Sequence, residues 1–557
     1  MAVGRADRQL RFDDASALLG ERLAEGTIYH LLAVQGHRLF PDDYLADMFT
    51  GSAKGRPTVP ARVVCTVMLL QSHEGLSDRE AVDRLAFDLR WKAAAGVAVD
   101  ADAFHPTVLV GVRNRLRRSD RPGRLFDDVT VVARRAGLLR GRKRVIDSTP
   151  LYDSVSTQDT VTQLRAAIRK VLMVADRAGE AELAGAVRAV LARDDGYAAP
   201  GKPPCDWDDP AAREALVDAL VRDCQAALAV LHGRELSEMV AEAAALLALV
   251  TGQDVEEGRD GVFRIARRVA KDRIISTVDP EARHGHKSRN RTFDGYKTHL
   301  AADPDDELIT AVAVTAANVP DRDAVDDLIG ADTDDGDQPD HDHTETERAE
   351  AGRAAAGRAE RDGGEVDPDD GLEIFGDSAY ADADTLQRLG QAGHTLRAKV
   401  PPARNRGGRF SKDDFDIDLN RGQVTCPAGN TAPISPADRG GKASFRRFCR
   451  TCPLRAQCTT AKTGRSIAIH RREATLQAAR AAQADPAWRE AYRANRPTAE
   501  RKIAHYARRL WGGRKARCRG KARIPTDVLT RAAVANLARL AVLGLRHAPT
   551  GWAVAPG

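Results

Sequence analysis

The chain is poor in aromatic residues, which fill 5% of its 557 positions, and it holds only eight cysteines. Eight cysteines over that length cannot form the dense disulfide framework of a small secreted domain, so a reducing cytoplasm is the expected compartment. Long apolar runs are missing too. The longest, at 243–250 and 532–545, are Ala-rich and shorter than the roughly 20 residues that span a bilayer, so no membrane partner is expected. The opening residues, MAVGRADRQLRFDD, lack the apolar core of a secretory signal. A large excess of one charge is also absent: 85 Lys and Arg against 80 Asp and Glu leave a net charge of +5. Any preference for a charged partner must therefore lie in how the charges are distributed.

That distribution is uneven. From Arg493 to Arg523 there are twelve Lys or Arg against one acid, Glu500, whereas 332–370 carries fifteen Asp or Glu against four Arg. A basic stretch around a lone carboxylate suits a protein that grips phosphates while doing chemistry on one of them. The bland alternative is a solvated Arg-rich helix. With 43% hydrophobic and 30% charged residues, the composition is that of a soluble chain of about three to four domains.

Residues 59–117 read as several short helices, with Ser77 and Glu80 in the S-x-x-E spacing of a capping box. They suit either DNA binding in a helix-turn-helix manner or dimerisation. Val145-Ile146-Asp147 reads as the end of a buried strand. Residues 160–272 show helical apolar spacing, broken by a Pro- and Asp-rich loop at 194–211. YKTHLAADPDDELITAVAV (296–314) reads as a hairpin turning at 303–306. The acidic segment 331–370 has the composition of a disordered insert. GLEIFGDSAYA (371–381) then supplies a second buried strand ending in an acid, followed by a short helix and a strand. An Arg-rich helix, RPTAERKIAHYARR (496–509), carries the third acid.

Asp147, Asp377 and Glu500 are thus three carboxylates in separate elements that can converge on a pair of divalent ions. Two such ions, roughly 3.5–4 Å apart, clamp the attacking and leaving oxygens of an in-line phosphoryl displacement. Magnesium takes hard oxygen ligands and keeps several waters, so few carboxylates suffice. The order of strands, hairpin and helix is that of an α/β, RNase H-like mixed-sheet core.

These residues resemble the bacterial insertion-sequence transposases of the DDE type over about residues 30–545. The resemblance rests on IDSTPLYDSVSTQDTVTQL, ISTVDPEARHGHKS, FDGYKTHLA, IFGDSAYA and RPTAERKIAHYARR, in that order. It implies catalytic acids at Asp147, Asp377 and Glu500, two Mg2+ or Mn2+ ions, and double-stranded DNA, both element ends and target, as partner. A homodimer is implied because two ends are handled together. The family often places Tyr, Arg, Glu and Lys around the third acid. Arg496 fits that spacing, but Tyr492 falls one residue early and Ala507 stands where the Lys would be. Glu490 is therefore an alternative third acid, and Asp153 rivals Asp147. Lys297 and Arg496 are candidate phosphate clamps, and His299 a candidate DNA contact or else a packed hairpin histidine. Arg508, Arg509, Arg514 and Lys515 would track the DNA backbone.

A second pattern is Cys426, Cys449, Cys452 and Cys458, in which C-x2-C has the spacing of a structural zinc site. Reduced cysteines packing a small β-rich insert are the alternative. The expected organisation is a helical N-terminal DNA-binding or dimerisation domain (1–135), then a catalytic core from 140–160, 273–400 and 490–547. A helical insertion (161–272), the acidic insert (331–370) and a Cys-cluster insertion (401–489) interrupt that core. The activity expected is cleavage and strand transfer at terminal inverted repeats. Rivals are a catalytically inactive DNA-binding relic, a related nuclease or junction resolvase, and a zinc-dependent transcription factor.

Overall fold

The computed structural model describes residue 4 and residues 14–19, 22–49, 57–193, 197–267, 270, 272–288, 290–333, 371–403, 407–438, 440–508 and 513–555. The acidic segment from 334 to 370 lies outside the described residues.

Six strands make the central sheet: β1 (Lys143–Tyr152), β2 (Arg283–Ser288), β3 (Arg291–Ala302), β4 (Ile309–Ala316), β5 (Glu373–Gly376) and β6 (Thr395–Ala398). β3 pairs antiparallel with β1, β4 and β2, whereas β5 pairs parallel with both β1 and β6. The order β4-β3-β1-β5-β6 is antiparallel on one side of β1 and parallel on the other. That is the RNase H-like sheet. Consecutive residues Leu300, Ala301 and Ala302 of β3 are all buried, as expected of a strand covered on both faces. The turn after it is built by Asp303, whose carboxylate accepts the N–H groups of Asp305 and Asp306 at 2.8 and 2.9 Å.

Asp147 does not end its strand, as the apolar run suggested. β1 continues to Tyr152 because β3 pairs with it without a break from Val145 to Tyr152. Pro150 is tolerated there because β5 pairs only with Lys143, Arg144 and Val145. Past Val145 the β5 side of β1 is an edge, where a missing N–H costs no ladder bond.

The N-terminal helices include α1 (Ile28–Leu39), α2 (Ala61–Glu74), α3 (Asp78–Phe87), α4 (Thr107–Arg118) and α5 (Arg124–Arg135). The capping box at the start of α3 is present in full, with Ser77 and Glu80 serving each other's backbone N–H. These helices share one apolar core with Tyr296, Leu300 and Ile309 of the sheet and with the late helix α10 (Ile524–Val542). Asn536 on α10 exchanges two 2.8 Å hydrogen bonds with the Ile309 backbone, satisfying β4, the outer strand, with a side chain. On the far face, Ile146, Ile374, Val325, Leu328 and Tyr380 form a second core.

The segment between β1 and β2 folds as helices, among them α6 (Thr160–Arg177), α7 (Pro210–Leu231) and α8 (Glu238–Gln253), around an apolar cluster of its own. Residues 416–470 form a separate five-stranded antiparallel sheet, again with its own core. The chain then returns to the central sheet through α9 (Pro486–Tyr506), whose N-cap Asp485 accepts the Ala487 N–H.

Candidate active site

The site lies where two parallel strands part. β1 and β5 are joined through only three residue pairs, the last being Val145 with Phe375. β5 stops at Gly376, so Asp377 follows its carboxyl end, and Asp147 sits on β1 just past the last pair. Crevices beyond the carboxyl ends of parallel strands are where open α/β sheets hold ligands. α9 packs against β1, β3 and β5 and brings Glu500 to the same place. The resulting cleft, of about 620 Å³, is lined by Asp147, Asp377, Glu500, Asp321, Arg496 and Lys297, with Arg514 at its side.

Each carboxylate has a distinct setting. Asp147 accepts the Ser148 N–H at 2.7 Å through one oxygen and the Arg496 guanidinium at 2.7 Å through the other. Burial works against the Arg496 charge, but Asp147 beside it outweighs that cost and holds its pKa above the ordinary arginine value. Asp377 accepts the Ala379 N–H at 2.8 Å. Burial, and next the negative charge of Asp147, push the Asp377 carboxyl above the usual carboxylate range. Gly376 before it is needed for space: a Cβ there would come within 3.1–3.3 Å of the Tyr380 side chain. Glu500 is exposed on the cleft-facing side of α9.

Of the two rivals, neither lines the cleft. Glu490 is exposed more than two turns earlier on α9. Asp153 is 9% exposed, and its carboxyl is raised by burial and then by neighbouring Asp279. Tyr492, one residue early by the family spacing, still faces the site. Tyr492, Arg496 and Glu500 recur every four residues and so share a helical face. The Tyr492 hydroxyl donates to the Gly376 carbonyl at 3.1 Å, beside Asp377, and its ring stacks on Trp488 at 5.1 Å.

The basic residues divide. Arg496, Lys297 and Arg514 line the cleft, but the Lys297 ammonium is already committed to Asp321 at 2.6 Å and to the Val319 carbonyl at 2.7 Å. His299 is not available as a DNA contact. It is 0% exposed, its Nε2 lies 2.8 Å from the Thr315 hydroxyl, and burial lowers its pKa to about 4. The alternation of β3 turns it into the sheet. Arg508 and Lys515 are exposed but outside the cleft lining, and Arg509 lies outside the described residues. The tail after α9 closes back on β1: the Tyr152 N–H donates to the Arg514 carbonyl at 2.7 Å, and the Ala516 N–H to the Tyr152 carbonyl at 2.8 Å.

Asp321 was not anticipated from the sequence. It opens the short 3-10 turn Asp321–Ala324 after β4, and its carboxylate accepts both the Ser148 hydroxyl (2.7 Å) and Lys297. Nothing in VPDRDA sets it apart from a dozen other loop aspartates; only the fold brings it beside Ser148.

Among the described residues, no three His, Cys, Asp or Glu side chains stand close enough to hold a metal as placed. The acids share the cleft without closing on one point. The same holds for the cysteines. Cys426, Cys449, Cys452 and Cys458 line one small apolar pocket with Phe410, Phe415 and Phe445, and all four are free thiols. Burial pushes the Cys458 thiol up, and the zinc expectation gains no support from the placement of the four side chains. No helix among the described residues is long and apolar enough to cross a membrane.

Three families of known domains match parts of this chain. A transposase DDE domain matches residues 425–541, a second transposase DDE domain matches 265–336, and a transposase domain of the DUF772 kind matches 32–115. The DDE matches take in Glu500, Lys297 and Asp321 and stop short of Asp147 and Asp377. No curated protein and no solved structure matches the chain. Transposase domains thus match the N-terminal helices, part of the sheet and the stretch that ends in α10, and together with the RNase H-like sheet they support an insertion-sequence DDE transposase.

Proposed function

We propose that this transposase binds the terminal inverted repeats of its own element and performs both DNA cleavage and strand transfer in the cleft between β1 and β5. The observation that carries this reading is the meeting of Asp147, Asp377 and Glu500, from two strands and a helix, in one open cleft. The donor set fits magnesium or manganese. All three are hard oxygen ligands, and the crowding that raises the Asp377 carboxyl beside Asp147 is what a divalent cation relieves. When bound between these acids, a pair of such ions supplies a water of lowered pKa and a counter-charge for the leaving oxygen.

The chain's own residues do the rest. Arg496 neutralises Asp147 while the cleft is empty of substrate, and it lies close enough to turn its guanidinium to a phosphate. Tyr492 braces the Gly376–Asp377 turn, and Asp321 fixes Ser148 next to Asp147. Arg514, exposed at the cleft wall, contacts the incoming backbone. No side chain need form a covalent bond to DNA. Two element ends are held together by a homodimer, with the N-terminal helices as the DNA-binding or dimerising part.

The test is cleavage of a fragment carrying the element's end, in magnesium and in EDTA, by wild type and by Asp377→Asn. Magnesium-dependent cutting that the variant loses while still binding supports the reading. If neither protein cuts and both bind the end tightly, the chain is a DNA-binding relic without catalysis.

A further inference from the structure

A second polar cavity, of about 210 Å³, lies away from the catalytic cleft, between α2, α4, the tail after α9 and the start of α10. Three arginines line it: Arg113 and Arg117 from the end of α4, and Arg517 from the tail. Its two carboxylates are already engaged. Asp78 takes Arg113 at 2.5 Å and the Gln71 amide at 2.6 Å, and Asp527 takes Arg531 at 2.9 Å.

Arg117 and Arg517 are left short of anionic partners. The Arg117 Nε is buried with no hydrogen-bond partner among the described residues, and one of its terminal nitrogens donates to the Asn114 side chain at 3.0 Å. Arg517 donates to the Leu76 carbonyl at 2.7 Å and stands 4.0 Å from Asp527. Burial lowers the pKa of both guanidiniums; the Asp527 charge offsets part of this at Arg517, and Arg113 adds to the lowering at both. An arginine stays charged regardless, so with three arginines against two carboxylates the cavity lining keeps a net positive charge. The amino end of α10 begins without a side-chain cap and favours anions, with Asp527 already in its first turn.

We propose that this cavity is an oxyanion site that seats a phosphate group against Arg117 and Arg517. The chemistry fits either a phosphodiester of the bound DNA or a free phosphate-bearing ligand. The DNA source rests on the transposase reading above; the free-phosphate source does not. Guanidinium forks match phosphate oxygens in pairs, and the cavity is large enough for one such group. A DNA phosphate held here would anchor the duplex at the junction of the N-terminal helices with the tail, separately from the reacting bond.

Two arms test it on the full chain. In the first, thermal melting is compared in inorganic phosphate and in chloride at matched ionic strength, for wild type, Arg117→Gln and Thr530→Asp. Phosphate should raise the melting temperature of wild type but of neither variant, and Thr530→Asp should melt higher than wild type in chloride because it brings its own anion. In the second, binding of a labelled duplex is followed over a salt series. Arg117→Gln should lose about one unit of the slope of log affinity against log salt, and Arg117→Lys should keep it. Both effects together assign a DNA phosphate; a lost phosphate response with unchanged DNA binding assigns a free phosphate ligand. An unchanged phosphate response and salt slope in Arg117→Gln, or a Thr530→Asp variant that melts lower in chloride, overturns the site. If wild type binds no DNA at all, the transposase reading fails while the melting arm still judges the cavity.

Discussion

Arg496 is the side chain whose removal says most about the cleft. Its 2.7 Å ion pair with Asp147 is largely shielded, with 11% and 15% of the two side chains exposed. A hydrogen bond to a charged group contributes roughly 1.5–3 kcal/mol, and leaving one partner of a buried pair unmatched costs about 3–5 kcal/mol. With some solvent at both groups, Arg496→Met should destabilise the metal-free protein by about 2–4 kcal/mol. Unfolding entropy scales with size, so for a chain of 557 residues unfolding cooperatively this is a fall in melting temperature of roughly 2–4 °C. The loss should depend on pH and on magnesium. The Asp377 carboxyl is already raised by burial and by Asp147, and a raised carboxylate costs stability once pH climbs through its folded pKa. Without Arg496 that cost grows, so the deficit should be largest near neutrality and shrink on acidification into the carboxylate range. Millimolar magnesium should also close part of the gap, because it restores a cation between the two acids. Calorimetry of both proteins at two pH values, with magnesium and with EDTA, measures all of this. An Arg496→Met protein that melts like wild type, or whose deficit ignores both pH and magnesium, would refute the electrostatic account.

Glu500→Gln should abolish cleavage of an element-end fragment while Glu490→Gln cuts at the wild-type rate; the reverse result would move the third acid along α9. Tyr492→Phe removes one hydrogen bond to the Gly376 carbonyl, and single-turnover cleavage should slow by up to about tenfold, in line with roughly 0.5–1.5 kcal/mol, with end binding unchanged in a mobility-shift assay. His299 has a folded pKa near 4 against 6.5 when free, so its neutral form contributes stability above pH 6.5 that drains away as pH falls towards 4. Urea titrations should therefore show His299→Gln losing less stability than wild type over that acid window, with equal losses counting against a buried neutral imidazole. Ser77→Ala breaks the capping box of α3 and should cost about 1 kcal/mol in the same assay.

How much of this was readable beforehand follows from the range over which each interaction acts. The capping box at Ser77 and the hairpin around Asp303 are set by neighbours a few residues apart and form where the sequence places them, whereas the helix bearing Glu500 already starts at Pro486. Asp147 stands out in the sequence, but its position within β1 does not, because the strand's length is set by pairing with β3 nearly 150 residues later. The family spacing placed Tyr492 out of register, whereas the four-residue period of α9 keeps it on the face of Arg496 and Glu500. His299 reads in GYKTH as either a DNA contact or a packed hairpin histidine, and its complete burial fits the second. Asp321 had no local signature at all. Its role comes from Ser148 and Lys297, both distant in the chain, and only tertiary structure could reveal it. For the cysteines, spacing suggested either an ion or packing of a small insert, and the fold places all four around one small apolar pocket.

The backbone bonds that tie the tail after α9 to Tyr152 also govern when the protein can first act during its own synthesis. Asp147 and Asp377 leave the ribosome early, but Glu500, Arg514 and the α10 surface that completes the main core come last. At roughly 5–20 residues per second, several seconds of translation separate the second acid from the closing of the cleft. A chain that stops before this stretch carries two of the three cleft acids and lacks the third.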